Sequence, residues 1–457
     1  MHIINRDSDS SSKLLWVLLI MSFPIFGGVV YLLLGNRKIP KALMIKDRQA
    51  YSDYKKYALQ NIEILSDLHE DDYVLDKMTS MAWTNGYFPV YDNCLLTYFP
   101  SGEEQYKAFI QELIKAEDFI FMEFFIINKG VMWNTILQIL MDKAAMGVDV
   151  RVIYDDMGCI ALLPTSYPKQ MEEKGIKCIA FNKLNPFLGV IMNNRDHRKM
   201  MIIDGKTVFS GGMNLADEYI NLEHPYGKWK DNGIKITGEA VWNFTIMFLN
   251  MWNSYRKDDE DYKKYKYDFS KENLELNGYT IPYGETPLDN EIVGENVYLN
   301  IINQAQKYVY IMTPYLIIDT DMINSLILAA KRGVDVRIVV PGIPDKKIVY
   351  SLTTSYFETL IKNGVKIYKY MPGFVHSKVF VSDDNIATVG TINLDYRSLY
   401  LHFECGVFMQ DVEEIKDVKK DLVDTIGESH FVSKKEAMPK LLKSVWQAVL
   451  RLFAPLM

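Results

Sequence analysis

The sequence lacks a surplus of positive charge. Its 457 residues include 51 lysines and arginines against 58 aspartates and glutamates, so the formal net charge is −7 and the pI is about 5.6. A general nucleic-acid-binding protein usually carries a basic surplus, so this composition argues against that class. The chain also lacks low-complexity tracts, and 49% of its residues are hydrophobic. Its length allows two globular units of ordinary size and a membrane segment.

Cysteine is scarce. The four cysteines are scattered along the chain, at Cys94, Cys159, Cys178 and Cys405. Their spacing matches no zinc site, and their neighbours are mostly apolar. We therefore expect reduced cysteines in the core of a protein that faces a compartment resembling the cytoplasm, with a disulfide as the alternative.

Long charge-free runs are also scarce, apart from one near the start. Residues 14–34 form a run of 21 residues without a charge, which is enough for one transmembrane helix. A signal peptide fits less well because no small-residue cleavage site follows, and a buried core helix is the remaining alternative. The next segment is basic, so the positive-inside rule places the rest of the chain in the cytoplasm. Its basic residues are Arg37, Lys38, Lys41, Lys46, Arg48, Lys55 and Lys56.

One polar pattern occurs twice in the sequence. The pattern is His-x-Lys, four residues, Asp, six residues, Gly, two residues, Asn. The first copy consists of His197, Lys199, Asp204, Gly211 and Asn214. The second copy, 179 residues later, consists of His376, Lys378, Asp383, Gly390 and Asn393. The apolar residues inside the copies, 200–203 and 379–381, predict buried strands, and each Asp is expected to end its strand and brace the following turn.

A histidine two residues from a lysine is a poor metal site. The ammonium group repels a divalent cation, whereas metal-binding histidines have acidic or neutral neighbours. The same pair suits a phosphate group. Two such pairs would surround a phosphodiester with positive donors, one neutral imidazole attacking phosphorus and the other, protonated, donating to the leaving oxygen. A half-exposed strand whose lysine reaches solvent would explain one copy, but not two copies in register.

The duplicated pattern resembles the phospholipase D superfamily. The residues around it are similar to one branch, the bacterial cardiolipin synthases, over nearly the whole chain from about residue 14. The similar segments are Arg195-Asp196 before the first His, Thr313-Pro314-Tyr315, and the stretch from Asn393 to Ser398. Members of that branch commonly begin with two membrane helices, whereas this sequence supplies one. The resemblance implies phosphatidyl transfer with neither a metal nor an organic cofactor.

The chain is also duplicated outside the motif. The pentapeptide Gly-Val-Asp-Val-Arg occurs at residues 147–151 and 333–337, 186 residues apart. Strands alternate with helices in both halves, which predicts an α/β fold with mixed sheets flanked by helices. Two phospholipase D-like repeats related by a pseudo-twofold axis are therefore expected. The predicted segments are a transmembrane helix at 14–34, a juxtamembrane helical segment at 36–85, the first repeat at 86–254, a charged linker at 255–293, the second repeat at 294–430, and an amphipathic C-terminal helix at 438–457 that lies in a membrane interface or docks on the core.

The internal alignment also pairs two acidic residues. Asp231 and Glu404 each stand two residues before a glycine that leads into a late strand. A nucleophilic imidazole needs an acceptor on its second nitrogen, so each acid is expected to orient one histidine. Acids at the corresponding positions have that role in the superfamily. A surface acid at a strand start is the alternative.

The resemblance implies roles for the repeated motif. His197 is taken as the nucleophile and His376 as the general acid and base, although the pseudo-symmetry leaves the reverse order open. The two lysines would neutralise the charge that develops on the phosphoryl oxygens. The motif residues taken as catalytic are His197, Lys199, Asp204, His376, Lys378 and Asp383.

Two asparagines complete the predicted phosphate site. Asn214 and Asn393 would each turn a side-chain amide toward the phosphate oxygens, and the glycines before them would let the backbone approach closely. The first copy has Gly212 where the family usually has Ser, while the second has Thr391. One hydroxyl donor to the phosphate is therefore expected to be missing.

The resulting hypothesis is the cardiolipin synthase reaction, in which two phosphatidylglycerol molecules give cardiolipin and glycerol through a phosphohistidine. A hydrolytic phospholipase D shares every residue and differs only in accepting water. A nucleic-acid phosphodiesterase is disfavoured by the acidic pI, and a non-enzymatic membrane scaffold by the two intact motifs. The expected partners are phosphatidylglycerol and the membrane, without nucleic acid. The expected location is the cell membrane, with the catalytic region on the cytoplasmic side; the oligomeric state and second lipid substrate stay open.

Overall fold

Two mixed β-sheets form the centre of the molecule. The computed structural model describes residues 3–5, 10–32, 54–183, 194–259, 261–272, 274, 278–289 and 291–456. The strands of the first half are β1 (Cys94–Phe99), β2 (Phe119–Phe124), β3 (Asp149–Asp155), β4 (Lys177–Phe181), β5 (Arg195–Asp196), β6 (Lys199–Ile203), β7 (Thr207–Gly211), β8 (Lys228–Lys230) and β9 (Gly233–Gly238). Seven of them join in the order β1-β9-β7-β6-β2-β3-β4, with β2, β3 and β4 parallel.

The second sheet repeats the first. Its half of the chain contains β10 (Tyr279–Glu285), β11 (Tyr308–Met312), β12 (Leu316–Ile317), β13 (Asp335–Pro341), β14 (Lys366–Tyr370), β15 (Gly373–Val375), β16 (Val379–Ser382), β17 (Ile386–Gly390), β18 (Leu394–Asp395), β19 (His402–Gln410) and β20 (Ser429–Phe431). The main order is β10-β19-β17-β16-β11-β13-β14-β20. Its first seven positions match the first sheet strand for strand, so the prediction of two related α/β repeats is confirmed.

The N-terminal apolar segment forms two short helices. They are α1 (Ser10–Ser22) and α2 (Pro24–Val30), separated at Phe23. Pro24 accounts for the break, because proline has no N–H to donate into the preceding turn and fits the first turn of a new helix. The single helix predicted over residues 14–34 is therefore not found in the described part of that segment, and residues 33 and 34 lie outside it. Across the described residues, no helix has both the length and the apolar character needed to cross a membrane.

The chain before the first sheet belongs to the folded body. Helices α3 (Ile62–Asp71) and α4 (Tyr73–Gly86) bury Leu68, Leu75 and Met78 almost completely, and α4 packs against β10 of the second half. The juxtamembrane helical segment was predicted for 36–85, of which 36–53 lie outside the described residues; within 54–85 these two helices pack into the folded body. Charged residues on the exposed face of these helices obscured the narrower apolar stripe that packs inward.

The helices of the two repeats cover the sheets. Those of the first are α5 (Gly102–Lys115), α6 (Val131–Ala145), α7 (Tyr167–Glu172) and α8 (Val241–Tyr255). Those of the second, with the C-terminal region, are α9 (Val293–Gln304), α10 (Thr320–Lys331), α11 (Lys347–Ser355), α12 (Phe357–Lys362), α13 (Tyr396–Tyr400), α14 (Ile415–Gly427), α15 (Lys434–Ala437) and α16 (Leu441–Leu452). Because both faces of each sheet are covered, β6 and β16 are buried at every position, as predicted from their apolar runs.

Helix α8 lies where the two sheets meet. It is buried on nearly all sides and contacts β6, β7 and β9 of the first sheet and β10 of the second. The Asn243 side chain on α8 donates a hydrogen bond to the Pro282 carbonyl in β10, at 2.7 Å. All four cysteines are buried and unpaired, as expected.

The segment predicted as a charged linker, 255–293, contains structure of its own. Strand β10, at one edge of the second sheet, lies inside it. Asp259 and Tyr265 contact the buried guanidinium of Arg151, with Asp259 Oδ2 2.5 Å from Nη1. Asp259 of this segment therefore pairs with a buried arginine of the first repeat instead of facing solvent.

The aspartates of the duplicated motif lie at the far end of their strands. Asp204 follows β6, and its carboxylate accepts backbone N–H groups of Glu117, Asp118 and Phe119 at 2.8–2.9 Å. Asp383 makes the equivalent contacts beyond β16. Both residues adopt a φ of +53°, a left-handed conformation that Asp tolerates better than most residues. These positions brace the start of the neighbouring strand, as expected for the turn, and lie about 16 Å along the chain from the motif lysines.

Replacing Asp204 by alanine should therefore affect stability and leave the chemistry in place. Three backbone N–H groups lose a charged acceptor, so we expect the free energy of unfolding to fall by about 2–4 kcal/mol. Denaturant unfolding would measure the loss, and Asp383→Ala should show a similar one. A drop in activity per folded molecule, without a change in unfolding, would contradict this assignment.

Candidate active site

The two motif histidines stand just before equivalent strands, and each is attached to the other repeat. The His197 N–H donates to the Phe403 carbonyl at 2.9 Å, where β5 pairs with β19. The His376 N–H donates to the Lys230 carbonyl at 2.7 Å, where β8 pairs with β15. The backbone N–H of each motif histidine is thus hydrogen-bonded to a strand of the other repeat.

The other repeat also supplies a carboxylate to each imidazole. Both oxygens of Glu404 lie 2.9 Å from Nδ1 of His197, and Oδ2 of Asp231 lies 2.8 Å from Nδ1 of His376. Glu404 and Asp231 are fully buried. A carboxylate at Nδ1 fixes the tautomer and ring orientation, which leaves Nε2 of each imidazole for chemistry.

The electrostatics of the site favour neutral imidazoles before a ligand binds. Burial, followed by the charge of Lys199, lowers the pKa of His197 well below its ordinary value. Burial and the charge of Lys378 lower the pKa of His376 to about 4, although Asp231 opposes the shift. Charges of His376 and Lys378 also act on His197, and that of Lys199 on His376, so each pair influences the protonation of the other.

The surroundings shift the pKa values of the two carboxylates in opposite directions. Burial alone would raise the pKa of Asp231, but His376 and Lys378 hold that pKa below its ordinary value. Burial dominates at Glu404 and raises its pKa well above the usual range. The Asp231 side of the site therefore keeps a negative charge that can stabilise an imidazolium at His376.

The motif lysines are buried and only partly charged near neutral pH. Burial lowers the pKa of Lys199 to about 8 and that of Lys378 to about 7. Lys199 Nζ donates to the His197 carbonyl at 2.7 Å, and Lys378 Nζ lies 3.0 Å from Nδ1 of His376. Two buried amines without enough negative charge to hold their protons form a site suited to an incoming anion.

The two predicted phosphate-binding asparagines are not equivalent. Asn214 accepts the Ile126 N–H at 3.0 Å and donates to the Tyr219 hydroxyl at 2.7 Å, so its amide is engaged within the protein. Asn393 is 5% exposed, and its Oδ1 has no hydrogen-bond partner among the described residues. Asn393 is thus the freer of the two amides.

The expected hydroxyl donor acts on a carboxylate. Thr391 Oγ1 donates to Oε2 of Glu404 and accepts the Cys405 N–H at 3.0 Å. In the first copy, a Cβ on Gly212 would lie 1.9 Å from Oδ1 of Asp231. Glycine at 212 therefore leaves room for the Asp231 carboxylate, and the hydroxyl at 391 supports the Glu404 side instead of binding phosphate.

Two aromatic rings that lie beside the motif histidines were not predicted from the sequence. His402 lies with its ring centroid 5.7 Å from that of His197, and neither of its nitrogens has a hydrogen-bond partner among the described residues. Trp229 stands at 5.3 Å from His376 and donates to Asp231 at 3.3 Å. His402 and Trp229 each precede a carboxylate by two residues, so the internal alignment that paired the acids could have found them. The two half-sites consequently differ in polarity.

One group of side chains in the described structure could in principle hold a metal ion. Donor atoms of His197, His402 and Glu404 lie within 4.8 Å of one another. However, both oxygens of Glu404 already accept hydrogen bonds from His197 and Thr391. The charge of Lys199 also acts on both imidazoles. This surrounding suits an anion better than a cation.

Comparison with known proteins identifies the same halves. The family described as "Cardiolipin synthase, PLD-like domain" matches residues 109–246 and 298–425, and one described as "Phospholipase_D-nuclease N-terminal" matches residues 1–36. A cardiolipin synthase of Staphylococcus aureus is 34% identical over 92% of this chain and 86% of its own. Cardiolipin synthase 2 of Bacillus anthracis is 32% identical over 98% and 87%. An uncharacterised protein of Streptococcus mutans is 44% identical over 100% and 99%.

A solved structure shares the fold. The phosphatidylserine synthase of Haemophilus influenzae superposes with a TM-score of 0.60, at 18% identity, over 83% of this chain and 98% of its own. The matched halves contain most strands of the two sheets described above, and one copy of the duplicated motif lies in each half. This chain therefore belongs to the cardiolipin synthase family of phospholipase D-like enzymes, which are phosphatidyltransferases.

Proposed function

We propose that the protein transfers a phosphatidyl group between two phosphatidylglycerol molecules and so makes cardiolipin and glycerol. The observation that carries the proposal is the pair of imidazoles, each held at Nδ1 by a buried carboxylate of the other repeat. The names of the relatives support this substrate class. Together they favour one phosphodiester site formed by both repeats.

The first half of the proposed reaction forms a covalent intermediate. Nε2 of His197 attacks the phosphorus of phosphatidylglycerol, and the bond from phosphorus to the glycerol oxygen breaks. His376, protonated when the anionic substrate binds and stabilised by ionised Asp231, gives its proton to that oxygen. The products of this step are free glycerol and a phosphatidyl group on His197.

The second half returns the site to its starting state. His376 takes the proton from a hydroxyl of a second phosphatidylglycerol, whose oxygen attacks phosphorus. The bond between phosphorus and His197 breaks, and cardiolipin leaves. Lys199 and Lys378 neutralise the charge on the non-bridging oxygens in both steps, while Asn393 offers its amide to the same oxygens.

The lysines give the proposal a pH signature. The pKa values of Lys378 and Lys199, about 7 and about 8 in the free site, lie below the ordinary value for lysine, and a bound anion favours their charged forms. Binding therefore takes up protons and weakens as pH rises. We expect glycerophosphoglycerol, a soluble phosphodiester, to bind at least about tenfold more weakly near pH 9 than near pH 6.5.

Calorimetry in buffers of different ionisation enthalpy would measure both affinity and proton uptake. Lys378→Met should weaken binding at the lower pH and remove the part of the pH dependence centred near 7. A binding constant that does not change across this pH range would contradict the lowered pKa values of the two lysines.

Hydrolysis is the competing function, because water can replace the second lipid in the same site. The decisive experiment incubates purified, detergent-solubilised protein with phosphatidylglycerol alone and analyses the products. Cardiolipin with an equal amount of glycerol supports the proposal. Phosphatidic acid without cardiolipin would make the protein a phospholipase D. We further propose that it works at the cell membrane with the catalytic region on the cytoplasmic side, for which the basic segment after residue 35 is the support.

A further inference from the structure

The C-terminal helix α16 turns most of its apolar side chains away from the protein. Surface helices of globular proteins usually do the reverse and place the apolar stripe toward the core. The outward residues, between 42% and 87% exposed, are Leu441, Leu442, Val445, Trp446, Val449 and Leu452. Their spacing places them on one face of the helix.

The inner face of α16 docks through the buried Leu450 and through polar contacts. Gln447 is 4% exposed, and its amide donates to the Ser351 carbonyl and to the Thr354 hydroxyl, both at 3.0 Å. Arg451 donates to Ser355 and covers a tyrosine ring on the same side. Because these contacts are specific, the helix is held in an orientation that keeps the apolar face outward.

A second exposed apolar surface adjoins the first. The single turn Ala454–Leu456 that follows α16 packs against α1. The α1–α2 region exposes Met21, Phe23, Ile25 and Phe26 by 60–85%. Exposed apolar side chains on neighbouring elements are typical of a site of interaction with a membrane or a protein.

The charge around α16 favours an anionic surface. Residues 434–443 contain Lys434, Lys435, Lys440 and Lys443 against one acid, Glu436, although the whole chain is net negative. Burial and the charge of Lys443 lower the pKa of Lys369 on the neighbouring strand β14. An apolar face with flanking lysines is the arrangement by which helices lie in the interface of anionic bilayers.

The helix also stands beside elements that border the active site. It packs on α11, which begins next to Lys346, a residue whose charge acts on His402 and Asp395. The turn after α16 rests on α13, which connects the second motif to β19. A surface that held α16 would therefore lie close to the site where the diester binds.

We propose that α16, together with the exposed face of α1–α2, docks on an anionic lipid bilayer and holds the active site at its surface. The choice of a bilayer over a protein partner rests on the proposed lipid substrate. The outward side chains enter the interfacial region, while the lysines at the start of the helix contact lipid phosphates. Gln447 and Arg451 keep the helix attached to the catalytic body.

The test places an environment-sensitive dye on the helix in the full chain. All four native cysteines are buried, so Leu442→Cys provides a single accessible thiol. Vesicles of phosphatidylcholine containing phosphatidylserine should shift the emission of the dye to the blue and raise its intensity several-fold, and vesicles of phosphatidylcholine alone should do so less. The matched control is Ile114→Cys on α5, 58% exposed, where the vesicles should change nothing.

A second variant links the surface to turnover. Leu442→Glu puts a charge in the apolar face and should lower the rate on phosphatidylglycerol in vesicles by about tenfold or more. The rate on monomeric short-chain phosphatidylglycerol should match that of the unsubstituted protein, because the substitution is outside the catalytic site. Ile114→Glu should alter neither rate.

The outcomes separate this proposal from the proposed function. A dye response without any product would keep the docking surface and reject cardiolipin synthesis. If the product forms but vesicles do not change the emission of the dye at position 442, cardiolipin synthesis is kept and the docking surface is rejected. A dye already shielded before vesicles are added, in a protein that light scattering shows to be a dimer, would assign this face to a second copy of the chain and overturn the proposal.

Discussion

His197→Ala and His376→Ala are each expected to lower phosphatidyl transfer by about 10⁴-fold or more, the scale seen when a member of a catalytic group is removed. The reason is that, in the proposed mechanism, the two imidazoles have separate roles in one site. Without His197 there is no nucleophile, and without His376 no proton reaches the departing glycerol. The measurement is cardiolipin formation from phosphatidylglycerol by the purified variants.

A donor with a good leaving group separates the two roles. With a p-nitrophenyl phosphatidyl ester, His376→Ala should release about one equivalent of nitrophenol and then stop as the phosphatidyl-histidine accumulates. His197→Ala should show no burst. The reverse behaviour would exchange the roles, which the pseudo-symmetry permits.

His430→Ala is the matched control for these variants. This imidazole is about half exposed and pairs with Glu436 at the surface, so its loss should leave the rate unchanged. Activity that survived in either motif variant would contradict a site shared by both repeats.

Glu404→Gln and Asp231→Asn are expected to lower the rate by about 10²–10⁴-fold, since a neutral amide at Nδ1 no longer fixes the required tautomer or stabilises the imidazolium. Asp231→Asn should have the larger effect on proton transfer, because Asp231 is the carboxylate whose pKa is held low. The folded state should survive both changes, which keep the size of each side chain.

Double variants test the exchange of carboxylates between repeats. His197→Ala combined with Glu404→Gln should be no slower than His197→Ala alone, because the carboxylate acts through the histidine that is already missing. Likewise, His376→Ala combined with Asp231→Asn should be no slower than His376→Ala alone. Pairing within a repeat would instead make Glu404→Gln silent only in the His376→Ala background.

Much of the fold could be predicted because the chain is duplicated. Buried strands appeared as apolar runs at β6 and β16, and the repeated pentapeptide marked equivalent strands in both halves. The same repeat paired Asp231 with Glu404, although these residues are not part of the motif. Local pattern and internal symmetry are both properties of the linear sequence, so they needed no coordinates.

Predictions that depended on a segment alone were less successful. The run at 14–34 satisfied the length rule for a membrane helix, but Pro24 divides it into α1 and α2. The charged segment 255–293 concealed β10, whose place at the edge of the second sheet depends on β19. The deciding residue for the first segment, Pro24, lies inside the window from which the pattern was taken, whereas the deciding contact for the second segment lies outside its window.

The sequence by itself indicated which groups are the candidates for the chemistry: one histidine, one lysine and one carboxylate, present twice in register. Only the tertiary structure decided that each histidine is held by the carboxylate of the other repeat, across 207 and 145 positions of the chain. The duplication could not choose, because pairing within repeats and pairing between them have the same local pattern. The choice follows from the packing of β5 against β19 and β8 against β15, which places each carboxylate at the opposite imidazole.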